Sequence, residues 1–534
     1  ALGRELVDRL AELTRRIGVR RSVPYLAAMA VLVYERHPHV PDEVAYLIQA
    51  GYFAAGKLAI DTPAVPAAFN VDLLYYDAKQ IYSVFPPGWP AVLALGVKAG
   101  LAWLVNPVLA GANVVLCHRL LRACYDQPTA ALGTLLFALS PWHLFFGMSF
   151  MSHTLTLTLA MGAALLVVGA LTTDSWIRLI AAGLLIGGVS LIRPLDGLVL
   201  AGTLGLVVVL AGGKVWHRIS QGAILATATA AAGALVLPYN AALTGRGSTF
   251  PVMLYFNRYY SQGSNDMGFG PNRGLGWSGL DPFPGHGAID VAVNALINTF
   301  QVNTELLGWA AGSLIPILWF FLRPRRWQLA DKAMSLVIAT VIGLHSFYWF
   351  SGGPDFGARY WSLLLFPAIA LAARAIHQLD GENGPGPGTR LGPATLTAVA
   401  LCCLALVTFV PWRATDKYWR FRGMAGGVAS LAASGRFQGA LVLVQGRRHP
   451  DYHGAAVSNP PDLRASAAPI YGWDRDVEVR ERLLTSYPDR PVWVVAGPSV
   501  TGDGYRVVAG PLTAAAAREL ASPPSYQTPP GPNP

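Results

Sequence analysis

The chain has 534 residues, 53% of them apolar and only 13% charged, where soluble domains carry roughly a quarter. That excludes an ordinary soluble enzyme and predicts an integral membrane protein, because apolar runs long enough to cross a bilayer recur along most of the sequence. The net charge of +10 does not require nucleic acid, since much of it sits in short loops, where Lys and Arg set membrane orientation.

Residues 1–22 place Leu2, Leu6, Leu10, Leu13 and Ile17 at helical spacing among Arg4, Arg9, Arg15 and Arg16. This predicts a basic amphipathic helix on an anionic, cytoplasmic membrane face. No cleavable leader is expected, because no small-residue cleavage site follows the first apolar stretch. A short first span is predicted over 23–35, followed by an external loop over 36–105 that opens with Pro41-Asp42-Glu43. The apolar stretch 88–104 reads either as a further span or as a helix lying at the interface. Spans follow near 106–123, 129–148, 153–172, 178–192, 196–213 and 220–240. A second large loop covers 241–303, and the last spans fall near 304–322, 332–350, 360–378 and 393–411. Beyond Trp412 the composition turns soluble. Leu441-Val442-Leu443-Val444 and Val492-Trp493-Val494-Val495 read as buried strands, and 476–487 and 512–520 as helices. Residues 412–521 are therefore expected to form a small α/β domain, and 522–534 a Pro-rich disordered tail.

The distribution of positive charge chooses between topologies. If the N-terminus is cytoplasmic and 88–104 does not cross, then Arg119/Arg122, Arg178, Lys214/Arg218, Arg323/Arg325/Arg326 and Arg374 fall on or near the cytoplasmic side. The fold expected is an all-α polytopic membrane protein of about eleven spans, with an extracytoplasmic C-terminal α/β domain. That topology puts Asp42-Glu43, Trp142-His143, His153, Arg193-Pro194-Leu195-Asp196 and Asp355-Phe356-Gly357-Ala358-Arg359-Tyr360 on one external face. Polar groups near a membrane are costly to place and tend to be functional.

Cys117, Cys124, Cys402 and Cys403 all fall in or beside apolar segments. The hydrophilic regions therefore offer neither a disulfide framework nor a Cys-based zinc site. The sequence shows no Walker A loop, no Rossmann fingerprint, no Gly-x-Ser-x-Gly and no Cys/His metal spacing. The remaining chemistry must run on carboxylates, Arg, Lys, His and aromatics. Glycosyl transfer from a lipid phosphate fits that inventory. It needs a carboxylate to deprotonate the acceptor and cations to stabilise the departing phosphate.

Pro41-Asp42-Glu43, with Tyr46, Ala50 and Gly56-Lys57-Leu58, resembles the first external loop of GT-C glycosyltransferases. The resemblance is to the protein O-mannosyltransferase and lipid A aminoarabinose transferase branch. Ile81-Tyr82-Ser83-Val84-Phe85-Pro86-Pro87-Gly88-Trp89-Pro90 is similar to the end of that loop. Leu139-Ser140-Pro141-Trp142-His143, Leu191-Ile192-Arg193-Pro194 and Gly357-Ala358-Arg359-Tyr360 resemble motifs of bacterial members, and the likeness covers residues 20–411.

The resemblance implies a bacterial inner-membrane enzyme that inverts a sugar carbon at the extracytoplasmic face. The donor is a sugar of mannose or pentose type on a polyprenyl phosphate, and the acceptor an envelope lipid or glycan, with protein ranked last. Membrane lipids are partners and nucleic acid is not. Asp42 becomes the general base, with Glu43 orienting it or binding a cation. Lys57, Lys79, Arg193 and Arg359 become phosphate-binding candidates; His143, His153, Tyr82 and Tyr360 become substrate-binding candidates. No cofactor is implied, and members differ in whether they use a divalent cation such as Mg.

Each assignment has a plainer counterpart. Asp42 and Glu43 suit the N-terminus of any helix. Arg193 can simply pair with Asp196 three residues on, paired histidines are often structural, and aromatics also form interfacial belts. A lipid-linked sugar transporter and a non-catalytic envelope-assembly scaffold are the rival functions. A transporter should place its polar groups at mid-membrane on broken helices with repeat symmetry, and the sequence shows no repeat.

Overall fold

The computed structural model describes residues 22–276, 281, 283–323, 327–353, 355–383, 392–464 and 467–526. The expected amphipathic helix, Arg325, Arg326 and the end of the Pro-rich tail lie outside the described residues. The chain divides into two compact units, one gathering 1–29, 104–238 and 264–415, the other 30–103, 239–263 and 416–534.

Among the described residues, five helices are long and apolar enough to cross a membrane: Ala102–Cys124, His153–Thr173, Val215–Thr244, Arg359–Gly381 and Pro393–Gly423. This is a multi-pass membrane protein. A sixth span results if Gln127–Leu139 and Pro141–Met148, bent by 51°, count as one. The bend falls where a proline forces its predecessor out of helical geometry: Ser140 is extended at ψ 119°, and its Oγ accepts the His143 N–H. Ser22–Leu32, Trp176–Ser190 and Pro194–Leu210 are apolar but shorter.

In the first unit, His153–Thr173, Trp176–Ser190, Pro194–Leu210 and Val215–Gly233 pack on one another in succession. The segment expected as a single span over 304–322 is interrupted. Helix Ala288–Glu305 ends, the chain turns through Gly308 at φ +66° and Gly312 at φ +104°, and only Ile315–Leu322 resumes. Positive φ is accessible to glycine without a Cβ clash, so the two glycines punctuate what composition alone makes look continuous.

In the second unit, Gly88–Lys98 is a helix of 11 residues, about half the length needed to cross a hydrocarbon core. A small antiparallel sheet has the order β1-β3-β2, from Ile60–Asp61 (β1), Leu74–Tyr76 (β2) and Gln80–Ser83 (β3). The larger sheet has the order β5-β4-β6-β7, from Leu441–Gln445 (β4), Ile470–Trp473 (β5), Val492–Ala496 (β6) and Arg506–Leu512 (β7). β4 pairs in parallel with β5 and β6, and β7 closes one edge antiparallel.

Parallel strands are covered on both faces, and side chains alternate between the faces. Leu441 and Leu443 point into a cluster with Val65, Phe69, Leu483 and Val494. Val442 and Val444 point into another with Val44, Tyr52, Ile81 and Tyr452. The C-terminal segment thus shares a core with the loop that follows the first helix. Buried Arg480 donates from Nε and Nη2 to Asp474 at 2.9 and 2.8 Å, and from Nη1 to the carbonyls of Leu520 and Ala521, tying the chain end to the sheet.

Candidate functional site

Four of the candidate residues meet in the first unit. Arg193 precedes helix Pro194–Leu210 in an extended conformation, so its side chain turns back over the first helical turn to pair with buried Asp196. Its Nη1 donates to His153 Nε2 at 3.2 Å, which assigns the histidine's proton to Nδ1, because a guanidinium can only donate. The His153 ring, 1% exposed at the start of its helix, stacks on Phe146 at 4.5 Å.

The guanidinium of Arg193 lies 5.4 Å from the centre of the Tyr360 ring, and that of Arg359 lies 5.6 Å from the same ring. Arg359 is 5% exposed, pairs with Asp355 at 3.7 Å and also lies over Phe350. Tyr360 is held by His345, stacked at 5.9 Å, and by the edge of Tyr348 at 5.5 Å. Two cations on one aromatic ring, each with an aspartate behind it, make a partly buried cationic pair whose geometry is fixed from several sides.

The backbone here requires glycine. Gly357 sits at φ +60°, and a Cβ there would come within 2.6 Å of Glu305 Oε2. Glu305 is buried and receives Arg413 Nη2 at 2.5 Å and Nε at 3.1 Å, so it has little room to retreat. The Arg359 N–H then closes on the Gly357 carbonyl at 2.8 Å, which fixes the guanidinium's point of departure.

His143 lies in the same unit but not in this cluster. It is 2% exposed in helix Pro141–Met148, and its ring packs on Phe137 at 4.4 Å. Ser140, which caps its N–H, donates to the Leu306 carbonyl at 2.6 Å.

Asp42 and Glu43 belong to the second unit, in the first turn of helix Pro41–Ala54. The N-cap is Val40, with no side-chain cap, and Pro41 needs no N–H at that position. Asp42 is half-buried; Glu43 is fully buried. Glu43 Oε2 accepts the His39 N–H at 2.8 Å, and both its oxygens lie 3.3 Å from the Tyr34 hydroxyl. Its carboxylate is therefore occupied in shaping the entry to the helix. His39 stacks on Tyr34 at 4.1 Å and bonds the Tyr418 carbonyl through Nδ1 at 2.8 Å. Burial, with nearby His37, pushes the His39 imidazole down to about 3.

Lys57 and Lys79 are exposed in this unit, at the end of the helix and in the turn before β3. Tyr82 is 1% exposed, stacked on Tyr75 at 5.3 Å and clustered with Tyr239 and Leu243. It is a core side chain, with its faces taken by protein. Tyr75 carries a cation, with Arg258 5.1 Å from its centre, and the same guanidinium lies 5.6 Å from the centre of the neighbouring Tyr259 ring.

His449 and His453 lie one turn apart on helix His449–Ala456, and with Asp72 they bring one ligand atom each within 4.8 Å of one another. The i, i+4 spacing of the histidines was the available signal; Asp72, far away in sequence, gave none.

No protein-family model matches the chain, and no curated protein matches it. Several solved structures are similar to it. ArnT from Cupriavidus metallidurans bound to undecaprenyl phosphate is 16% identical, over 90% of this chain and 93% of that one, with a TM-score of 0.49. The archaeal oligosaccharyltransferase AglB from Archaeoglobus fulgidus, in complex with an inhibitory peptide and a dolichol-phosphate, is 12% identical over 89% and 69%, with a TM-score of 0.44. The arabinofuranosyltransferase AftD from Mycobacteria is 14% identical over 90% and 37%, with a TM-score of 0.41. At such distances the functional reading rests on this chain's own residues.

Proposed function

We propose that this protein is an inverting glycosyltransferase that moves a sugar from a polyprenyl-phosphate carrier to a lipid or glycan acceptor at the extracytoplasmic face of a bacterial inner membrane. The observation that carries the reading is the Arg193–Tyr360–Arg359 arrangement, with Arg359 buried and the other two partly buried, at the ends of apolar helices. Guanidinium forks suit the oxygens of a phosphate and remain charged at any working pH. In the reaction the acceptor hydroxyl attacks the anomeric carbon, Asp42 takes its proton, and the bond from that carbon to the phosphate oxygen breaks. The electron pair leaves with the polyprenyl phosphate, whose charge Arg193 and Arg359 stabilise. Glu43 shapes the helix that presents Asp42. About eleven crossings, with the N-terminus cytoplasmic and residues 412–521 outside, complete the reading and follow from the charge pattern of the loops.

The test is Asp42→Asn in full-length protein reconstituted in nanodiscs. Transfer is followed as release of polyprenyl phosphate from mannose- and pentose-loaded donors, with Tm measured on the same sample. A general base contributes about a hundred- to ten-thousand-fold in rate. The expected result is a loss of that order at unchanged Tm and unchanged donor binding. Wild-type transfer by Asp42→Asn removes Asp42 from the chemistry.

A further inference from the structure

We propose that Asp72, His449 and His453 form a zinc site that ties the loop between β1 and β2 to the helix following β4. The three ligand atoms lie within 4.8 Å of one another. His449 Nδ1 stands 3.4 Å from Asp72 Oδ1. Zinc bonds of about 2.0–2.2 Å to nitrogen and oxygen give a tetrahedron with edges of about 3.3–3.6 Å. One edge of the site therefore already has the required length, and small rotations of the side chains close the others.

An Asp–His ion pair alone does not account for the third residue. His453 is 3% exposed, and its Nε2 has no hydrogen-bond partner among the described residues. A buried imidazole nitrogen left without a partner is expensive, and a metal-bound cluster gives the ring a reason to be there.

The ligands are held before any ion arrives. Asp451, between the two histidines, accepts the Ser499 N–H at 2.9 Å, and its carbonyl receives the Tyr505 hydroxyl at 2.5 Å. The His449 ring stacks on Tyr526 at 5.0 Å and meets Trp473 edge-on at 5.0 Å. Beside Asp72, the Val71 N–H donates to the Tyr76 hydroxyl at 2.9 Å, and that hydroxyl donates to the Phe69 carbonyl at 2.5 Å. Such outer contacts orient metal ligands and set affinity.

Two imidazoles and one carboxylate favour zinc over magnesium, which prefers oxygen ligands and keeps its waters. Three protein ligands leave one coordination position for water or a small anion. A cleft of about 170 Å³, lined by Asn70, Asp72, Tyr76, Tyr255 and Tyr259, opens beside the carboxylate.

The experiment uses full-length protein carrying no polyhistidine tag, stripped with a chelator in nanodiscs and titrated with zinc chloride. Bound metal is counted by mass spectrometry, and Tm is followed in parallel. Cobalt(II) reports geometry through the visible absorption of a tetrahedral site. Expected are one zinc per chain, a Tm that rises with zinc concentration, and a tetrahedral cobalt spectrum. Asp72→Asn and His449→Gln should each weaken zinc binding at least tenfold, whereas His217→Gln, an exposed histidine elsewhere, should leave it unchanged. His449 and Asp72 are only partly buried, so their variants test the site even if His453→Gln fails to fold. Absence of stoichiometric zinc in folded wild type, or zinc binding unaltered in both variants, overturns the proposal.

Discussion

Glu43 separates a structural carboxylate from a catalytic one. It is fully buried and serves at least two donors, the His39 N–H at 2.8 Å and the Tyr34 O–H at 3.3 Å. Glu43→Ala strands both, at about 1–3 kcal/mol for each buried donor left unsatisfied. The expected loss is therefore roughly 2–6 kcal/mol from these two contacts alone. Glu43→Gln keeps one acceptor oxygen, and the tyrosine hydroxyl can turn to receive the new amide. The remaining loss is the charge assistance and the hydroxyl's own unpaired proton, about 1–3 kcal/mol. At about 2–4 °C per kcal/mol for a unit of this size, Glu43→Gln should lower Tm by several degrees and Glu43→Ala by roughly twice as much. The assay is thermal unfolding in nanodiscs, with transfer measured well below the transition. Adding Tyr34→Phe to Glu43→Gln removes the stranded proton, so the pair should be less destabilised than the sum of the singles by at least about 0.5 kcal/mol. An unchanged Tm in Glu43→Gln, together with a hundredfold loss of transfer, would refute the reasoning and place Glu43 in the chemistry.

Arg193→Ala exposes buried Asp196 as an unpaired charge, a loss of about 3–5 kcal/mol that would hide any effect on the donor. The double variant Arg193→Gln/Asp196→Asn should recover most of the Tm yet bind polyprenyl phosphate at least tenfold more weakly, measured by lipid competition; wild-type binding by the double variant removes Arg193 from the phosphate site. The His39 imidazole is held near 3 by burial, so it stays neutral in the fold while the unfolded chain takes up a proton below about 6.5. Its contribution to stability is complete above that pH and is lost as pH falls toward 3, about 2 kcal/mol between pH 7.5 and 5. His39→Gln should flatten the decline of Tm over that interval, and an unchanged slope counts against the buried neutral histidine.

The sequence made some features plain because they are local. The run Leu441-Val442-Leu443-Val444 is apolar throughout, which is what a parallel strand buried on both faces requires, and it forms the central strand β4. The apolar stretch expected as a span over 393–411 is helical over Pro393–Val407 and, past Thr408, again over Phe409–Arg413. Other features were hidden because composition does not register backbone geometry. Pro141 breaks an apolar run that hydropathy reads straight through, and Gly308 and Gly312 do the same farther on. At the candidate site, the pairing of Arg193 with Asp196 was legible at three residues' spacing. The sharing of one Tyr360 ring by Arg193 and Arg359 was not, since it joins residues more than a hundred positions apart. The burial of Tyr82 was equally silent, because an aromatic in a loop reads the same whether its faces meet sugar or other tyrosines.

The buried charges themselves argue for use. Asp196, Asp355 and Arg359 are each at most 6% exposed, and Arg193 is nearly as enclosed. Taking such ions out of water costs several kcal/mol apiece, and packed apolar side chains of similar volume often serve stability as well or better. Stability alone therefore gives no reason to keep two ion pairs around one tyrosine in an otherwise apolar helical unit. An anionic ligand supplies one. The planar guanidinium forks, held by their aspartates and by the Tyr360 face, match the paired oxygens of a phosphate in geometry and charge. On this view the aspartates hold the cations in readiness for the anion, and neutralising an aspartate should weaken phosphate binding by misplacing its arginine even as it raises the local positive charge.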